Sequence, residues 1–149
     1  METLVCKESK FTQALIEFHN TNPVATKDSR GAWGKYATLE QVIATCRLAT
    51  KQGLTFTQEP DFSLTGDKPV EFVRTVVLHV DGGKRESRTL VHVPAKFTGD
   101  PQAHGKGITY AKRYGLCAAF GLPTEDDDAD QISKNAQVKL GNTTEGDTW

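Results

Sequence analysis

Residues 101–120 bring together side chains that can do chemistry. Lys106, Lys112 and Arg113 are three cations within eight residues, and Tyr110 and Tyr114 stand among them. On a helix turning about 100° per residue, Gln102, Lys106, Thr109 and Arg113 fall in a sector of roughly 60°, with Lys112 at its edge. Lys106 and Arg113 then lie about two turns apart, near 10 Å by helix rise. A row of cations matches a row of phosphates, whose charge dominates affinity for nucleic acid. A tyrosine beside that row offers a face on which a base can stack. The plainer reading is a solvated helix face with half-buried tyrosines, and the sequence leaves both open.

Two other stretches repeat this chemistry. Trp33, Lys35 and Tyr36 set a cation among aromatic rings, in a polar segment that also holds Lys27 and Arg30. Lys84, Arg85 and Arg88 follow the glycines of a hairpin turn, and Arg74 lies on the strand before it. Trp33, Lys35, Tyr36, Arg74, Lys84, Arg85 and Arg88 join Gln102, Lys106, Thr109, Tyr110, Lys112 and Arg113 as candidate DNA-binding positions.

Four consecutive acids, Glu125 to Asp128, follow the cationic segment. They could hold a divalent ion, mimic a phosphate chain, or form a solvated run. Oxygen-only ligands suit a hard cation such as Mg²⁺, but adjacent carboxylates rarely complete its coordination shell. Asp126, Asp127 and Asp128 are therefore weak metal candidates, and no cofactor is required. A metal nuclease would draw converging carboxylates from separate elements. No GxSxG occurs, no His-x-Glu with Cys-x-x-Cys, and no GxGxxG or Walker sequence. The expectation is a protein that is not an enzyme.

The elements that must position these residues can be read in order. Phe11, Ala14, Leu15 and Phe18 repeat at helical spacing, so 5–19 is expected to be a helix. The polar stretch after it is expected to be flexible. Thr38 and Gln41 match a capping box that opens a second helix, with Leu39, Val42, Ile43 and Cys46 inward and Gly53 as its stop. Strands follow at 54–58, 70–80 and 85–93, the last two joined by DGGK as a hairpin. Phe72, Arg74, Val76, Leu78 and Val80 form the more apolar face and are expected inward. Asp100 and Pro101 open the last helix as N-cap and first-turn proline, and Gly121 closes it. Its Ile108, Ala111, Gly115 and Ala118 make a small-residue face for close packing. Short connections between strands favour an α+β fold: a three-stranded antiparallel sheet with packed helices.

The composition sets the frame. In 149 residues the net charge is -1. Residues 125–149 hold seven acids and two bases, whereas 1–124 hold twelve acids and sixteen bases. A mildly basic body thus carries an acidic tail. Three dispersed cysteines suggest no disulfide framework. His79 and His92 sit in strand-like runs with no second ligand at metal spacing. No signal pattern or membrane-length apolar run is seen, which gives the expectation of a soluble intracellular protein.

YATLEQVIATC, then PQAHGKGITYAKRYGLCAAFGL, then EDDDAD resemble the ERF (essential recombination function) family of phage single-strand annealing proteins. Lys35-Tyr36-Ala37, Pro101-Gln102 with Gly105 to Tyr114, and Asp126 to Asp128 carry the likeness, which spans roughly 5–130. Lys106-Gly107 departs from the small pair expected after the glycine. The resemblance implies a β-β-β-α core similar to that of other annealing recombinases. It implies ATP-independent binding of single-stranded DNA and annealing of complementary strands in phage recombination. It also implies homo-oligomeric rings or helical filaments in the cytoplasm of an infected bacterium, with a single-strand-binding protein or an exonuclease as candidate partners. On this reading 1–128 is the binding and annealing domain, and 129–149 an acidic, polar, flexible tail. The competing reading is an interaction protein that modulates host recombination without annealing.

Overall fold

The computed structural model describes residues 2–26, 29–31, 34–64 and 66–123, and of 2–8, 29–31, 34 and 35 the backbone alone. Trp33, Asp126 to Asp128 and the expected 128/129 boundary lie outside the described residues.

Three helices surround one face of a three-stranded sheet. Helix α1 spans Glu2–Asn20, and its stripe of Phe11, Ala14, Leu15 and Phe18 is buried as the spacing requires. Strands β1 (Ser29–Gly31) and β2 (Gly34–Tyr36) pair as a small hairpin, with Arg30 opposite Lys35. The polar stretch expected to be flexible therefore contains a β-ribbon that its composition concealed.

Helix α2 (Leu39–Arg47) opens on the capping box. Thr38 Oγ1 accepts from the Gln41 amide, and the Gln41 side chain accepts from the Thr38 amide at 2.8 Å. A 3₁₀ turn, Leu48–Gln52, extends it to Gly53 in the left-handed conformation.

Strands β3 (Leu54–Ser63), β4 (Val70–His79) and β5 (Lys84–Leu90) form an antiparallel sheet in that order. β3 runs five residues past the expected end. Pro60 is tolerated because β3 is an edge strand, where a missing amide leaves no ladder bond unmade.

The hairpin face is the reverse of the expectation. Val73, Thr75 and Val77 are buried, while Arg74, Val76 and Leu78 are only half-buried and Val80 is exposed. Counting apolar residues favoured the wrong face because Phe72 is buried on the open side, under the Arg88 guanidinium 4.8 Å from its ring centre. The covered face contains Thr75, whose hydroxyl has a partner: Gln58 Nε2 donates to Thr75 Oγ1 at 2.9 Å. The same amide donates to the Lys112 carbonyl at 3.0 Å and so ties the sheet to the last helix.

Helix α3 (Pro101–Phe120) packs on β4, β5 and α2. Phe120 meets Phe18 and Phe56 edge-on at 5.8 Å each, which joins α1, β3 and α3 around one ring. Each such pair adds about 0.5–1.5 kcal/mol beyond its buried area. His19 Nε2 donates to the Phe120 carbonyl at 2.8 Å, satisfying a C-terminal acceptor that the helix cannot satisfy itself.

Candidate nucleic-acid interface

The start of α3 decides where the cationic stripe begins. Asp100 accepts from the Gln102 amide at 2.9 Å, and Pro101 occupies the first turn. Two glycines then let the helix lie close to its support. A Cβ at Gly107 would stand 2.7 Å from the His92 carbonyl oxygen, and one at Gly115 would stand 2.9 Å from Thr75 Oγ1 and 3.0 Å from Thr89 Oγ1. The buried face comprises Gly107, Ala111, Gly115, Leu116, Cys117 and Phe120. Ala118, expected on that face, is exposed, and Ile108 is half-buried. Val91 and the His92 carbonyl lie against Gly107, so the 91–93 segment supports the helix together with the sheet.

Opposite Gly107, Ala111 and Gly115 lies the stripe, which ends at Arg113; two turns on, Phe120 is buried on the same line of the helix. Gln102, Gly105, Lys106, Thr109, Tyr110 and Arg113 line one open groove of about 520 Å³. Lys106 is exposed and makes no ion pair among the described residues. The Thr109 hydroxyl donates to the Gly105 carbonyl at 3.0 Å and keeps its lone pairs as acceptors. Lys112 lies at the edge of the stripe and is half-buried.

Arg113 is held in an aromatic cage. Its guanidinium carbon lies 5.0 Å from the Tyr36 ring centre, 5.2 Å from Tyr110 and 5.5 Å from Tyr114. Tyr110 and Tyr114, one turn apart, stack at 4.3 Å with a 33° tilt. A guanidinium that stacks a ring on its face can still donate from N–H groups in its plane. Tyr36 reaches this cage from β2, so residues 74 positions apart in the chain meet at one cation. Lys35 is placed on β2 by its backbone alone.

The hairpin residues lie elsewhere. Thr75 and Thr89 face α3, so by strand alternation Arg74 and Arg88 project from the other side of the sheet. Lys84 has the parity of Arg88 and shares that side. Arg74 pairs with Glu59 at 2.8 Å, and that hydrogen bond raises its already high pKa. Arg88 approaches Glu86 at 3.7 Å. Arg85 has the opposite parity and stands 5.4 Å over the Phe11 ring of α1. The structure thus brings Tyr36, Gln102, Lys106, Thr109, Tyr110 and Arg113 together, and it sets Arg74, Lys84, Arg85 and Arg88 apart from them.

A second hollow of about 450 Å³ adjoins the groove and shares Gln102, Lys106 and Tyr110 with it. Its far wall is His92, Pro94 and Phe97. Pro94 and Phe97 went unnoticed in the sequence, and His92 was expected within a strand 85–93 that in fact ends at Leu90; the irregular connection has no periodicity, and only the fold sets it against α3.

Beneath the cage lie two buried cysteines. Burial pushes the Cys46 thiol up to about 12, helped by the neighbouring Cys117. Burial also raises Cys117, against the pull of the Arg113 cation. Neither has the depressed pKa of a reactive thiol. Among the described residues no group of three or more His, Cys, Asp or Glu could hold a metal ion, and no helix is long and apolar enough to cross a membrane.

The family model described as the ERF superfamily matches residues 11–146. No curated protein and no solved structure matches the chain.

Proposed function

The chain belongs to the ERF superfamily, and on that premise we propose that it binds single-stranded DNA along the outer face of α3 and anneals complementary strands without ATP in phage recombination. The observation that carries this reading is the single groove in which Lys106 and the caged Arg113 stand in line with Gln102, Thr109 and Tyr110. The cations take the phosphates of one strand and the tyrosines take base faces. The bases' pairing edges then point away from the protein, toward an incoming strand. The work is the removal of phosphate repulsion and of the search cost of pairing, with no covalent step.

Self-assembly into rings or filaments would set the grooves of successive protomers end to end, giving a continuous track. Within this reading the protein needs no cofactor, and Mg²⁺ at Asp126 to Asp128 would act weakly as a regulator. It would work in the cytoplasm of the infected host, alongside an exonuclease or a single-strand-binding protein.

Titration of a labelled single strand tests the reading, with annealing of its complement followed in parallel. Binding is expected to weaken with salt, at a log-log slope near -0.7 per phosphate contacted. Affinity that stays flat from low to high salt refutes it. Binding without any acceleration of annealing leaves a protein that acts on recombination only through contacts with other proteins.

A further inference from the structure

We propose that the hollow between α3 and the 92–97 connection receives one unstacked nucleobase of the bound strand. The inference rests on the single-strand reading above and adds a base site to its phosphate track.

The hollow has the size of a small-molecule pocket: about 450 Å³, within the usual range of roughly 300–1,000 Å³. Its walls are aromatic and unusually wet. Phe97 is 43% exposed and Tyr110 is 53% exposed, although both line a concave surface. The exposed parts of the Phe97 and Tyr110 rings can gain by covering a flat π-surface, and every base has one.

The hollow is also attached to the cation row. Lys106 and Tyr110 line it and the groove alike, so a nucleotide whose phosphate rests at Lys106 has the hollow within reach of its base. Lys96 Nζ stands 4.9 Å from the Phe97 ring centre, so a further cation lies beside one of the lining residues. His92, Asp100 and Gln102 also line the hollow, and side chains of these types offer donors and acceptors to a base edge.

The depth of the hollow depends on a close approach. Gly107 is buried against the His92 carbonyl, so the connection is drawn onto α3 at this level, and Ala103 one turn earlier leaves space above it. An occupied hollow would hold one base of the strand out of the stack. The neighbouring bases would remain in the groove and available for pairing.

The test compares an oligothymidylate with a strand of equal length bearing abasic sites at regular intervals, so that phosphates are matched and bases are not. Affinity is measured by anisotropy at several salt concentrations. Wild type is expected to bind the intact strand more tightly, by roughly fivefold to a hundredfold per base received. Phe97→Ala should bind both strands at the weaker level with the wild-type salt slope, and Phe97→Tyr should restore the difference. Ala103→Trp, which fills the hollow from the helix side while keeping every cation, should also abolish it. A wild type that binds both strands equally overturns the base site and leaves the phosphate track standing, as does a Phe97→Ala and Ala103→Trp pair that keeps the full preference. A wild type that binds neither strand overturns the single-strand reading and this one with it.

Discussion

Arg113→Ala should cost both fold and binding, and the two losses can be separated. The guanidinium lies 5.0, 5.2 and 5.5 Å from three tyrosine ring centres. A cation over a ring is worth about 0.5–1 kcal/mol at an exposed site. The three contacts share one cation, so they do not add fully, and about 1–2 kcal/mol is the expected loss. For a domain of this size that lowers Tm by roughly 4–8 °C. The binding loss appears in a different quantity: one phosphate contact fewer makes the log-log salt slope shallower by about 0.7. Lys106→Ala provides the control, with the same change in slope and an unchanged Tm, because Lys106 packs on no ring. Arg113→Lys keeps the charge and should keep the slope, but it loses the flat face and melts between wild type and Arg113→Ala. Thermal melting and anisotropy across salt concentrations read both quantities on the same samples. If Arg113→Ala lowers Tm and leaves the slope at its wild-type value, the cage is purely structural and the phosphate assignment of Arg113 is wrong.

The glycines of α3 should respond oppositely to one substitution. A Cβ at Gly105 meets nothing within 4 Å, so Gly105→Ala should stabilise by nearly 1 kcal/mol through helix propensity. Gly107→Ala presses on a backbone oxygen at 2.7 Å, and overpacking of about 1–3 kcal/mol should outweigh that gain; equal melting temperatures for the two variants would contradict the packing. Cys46 should shape the alkaline limb of stability. Its folded pKa, pushed up to about 12 from 9.0, lies above its unfolded value, so its contribution is intact below pH 9 and is lost as pH climbs toward 12, at up to about 1.4 kcal/mol per pH unit. Urea melts of Cys46→Ala should show a flatter alkaline limb than wild type, and parallel limbs would count against the burial argument. Arg88→Ala, on the far side of the sheet from the groove, should leave the salt slope of strand binding unchanged; a slope reduced by about 0.7 would place the strand on the sheet face.

Local signals that act within a few residues were legible in the chain. The Thr38–Gln41 capping box, the Asp100-Pro101 helix start and the Gly53 and Gly121 stops depend on side chains bonding to nearby backbone or on a left-handed φ, so neighbours alone decide them. The stripe from Gln102 to Arg113 was legible for the same reason, since helical periodicity puts those residues on one face wherever the helix packs. The order of elements and the antiparallel sheet followed from short connections, and the long late motif carried the family.

Tertiary structure decided what depends on partners distant in the chain. Apolar count favoured the Phe72 side of the hairpin, yet α3 covers the side with Val73, Thr75 and Val77, because Gln58 and the close approach at Gly115 make room there for a threonine that has its hydrogen bond. The β1–β2 ribbon in a polar stretch, and Tyr36 reaching from it to Arg113, have no local signature. Basic residues that look equivalent in sequence were divided by strand parity, with Arg74 and Arg88 on one side of the sheet and α3 on the other. The hollow walled by His92, Pro94 and Phe97 exists only because an irregular connection is drawn onto a buried glycine. Periodicity and caps are properties of a segment. A face becomes buried, and a row of cations acquires its aromatic cage, only through another segment, and the chain by itself does not say which one arrives.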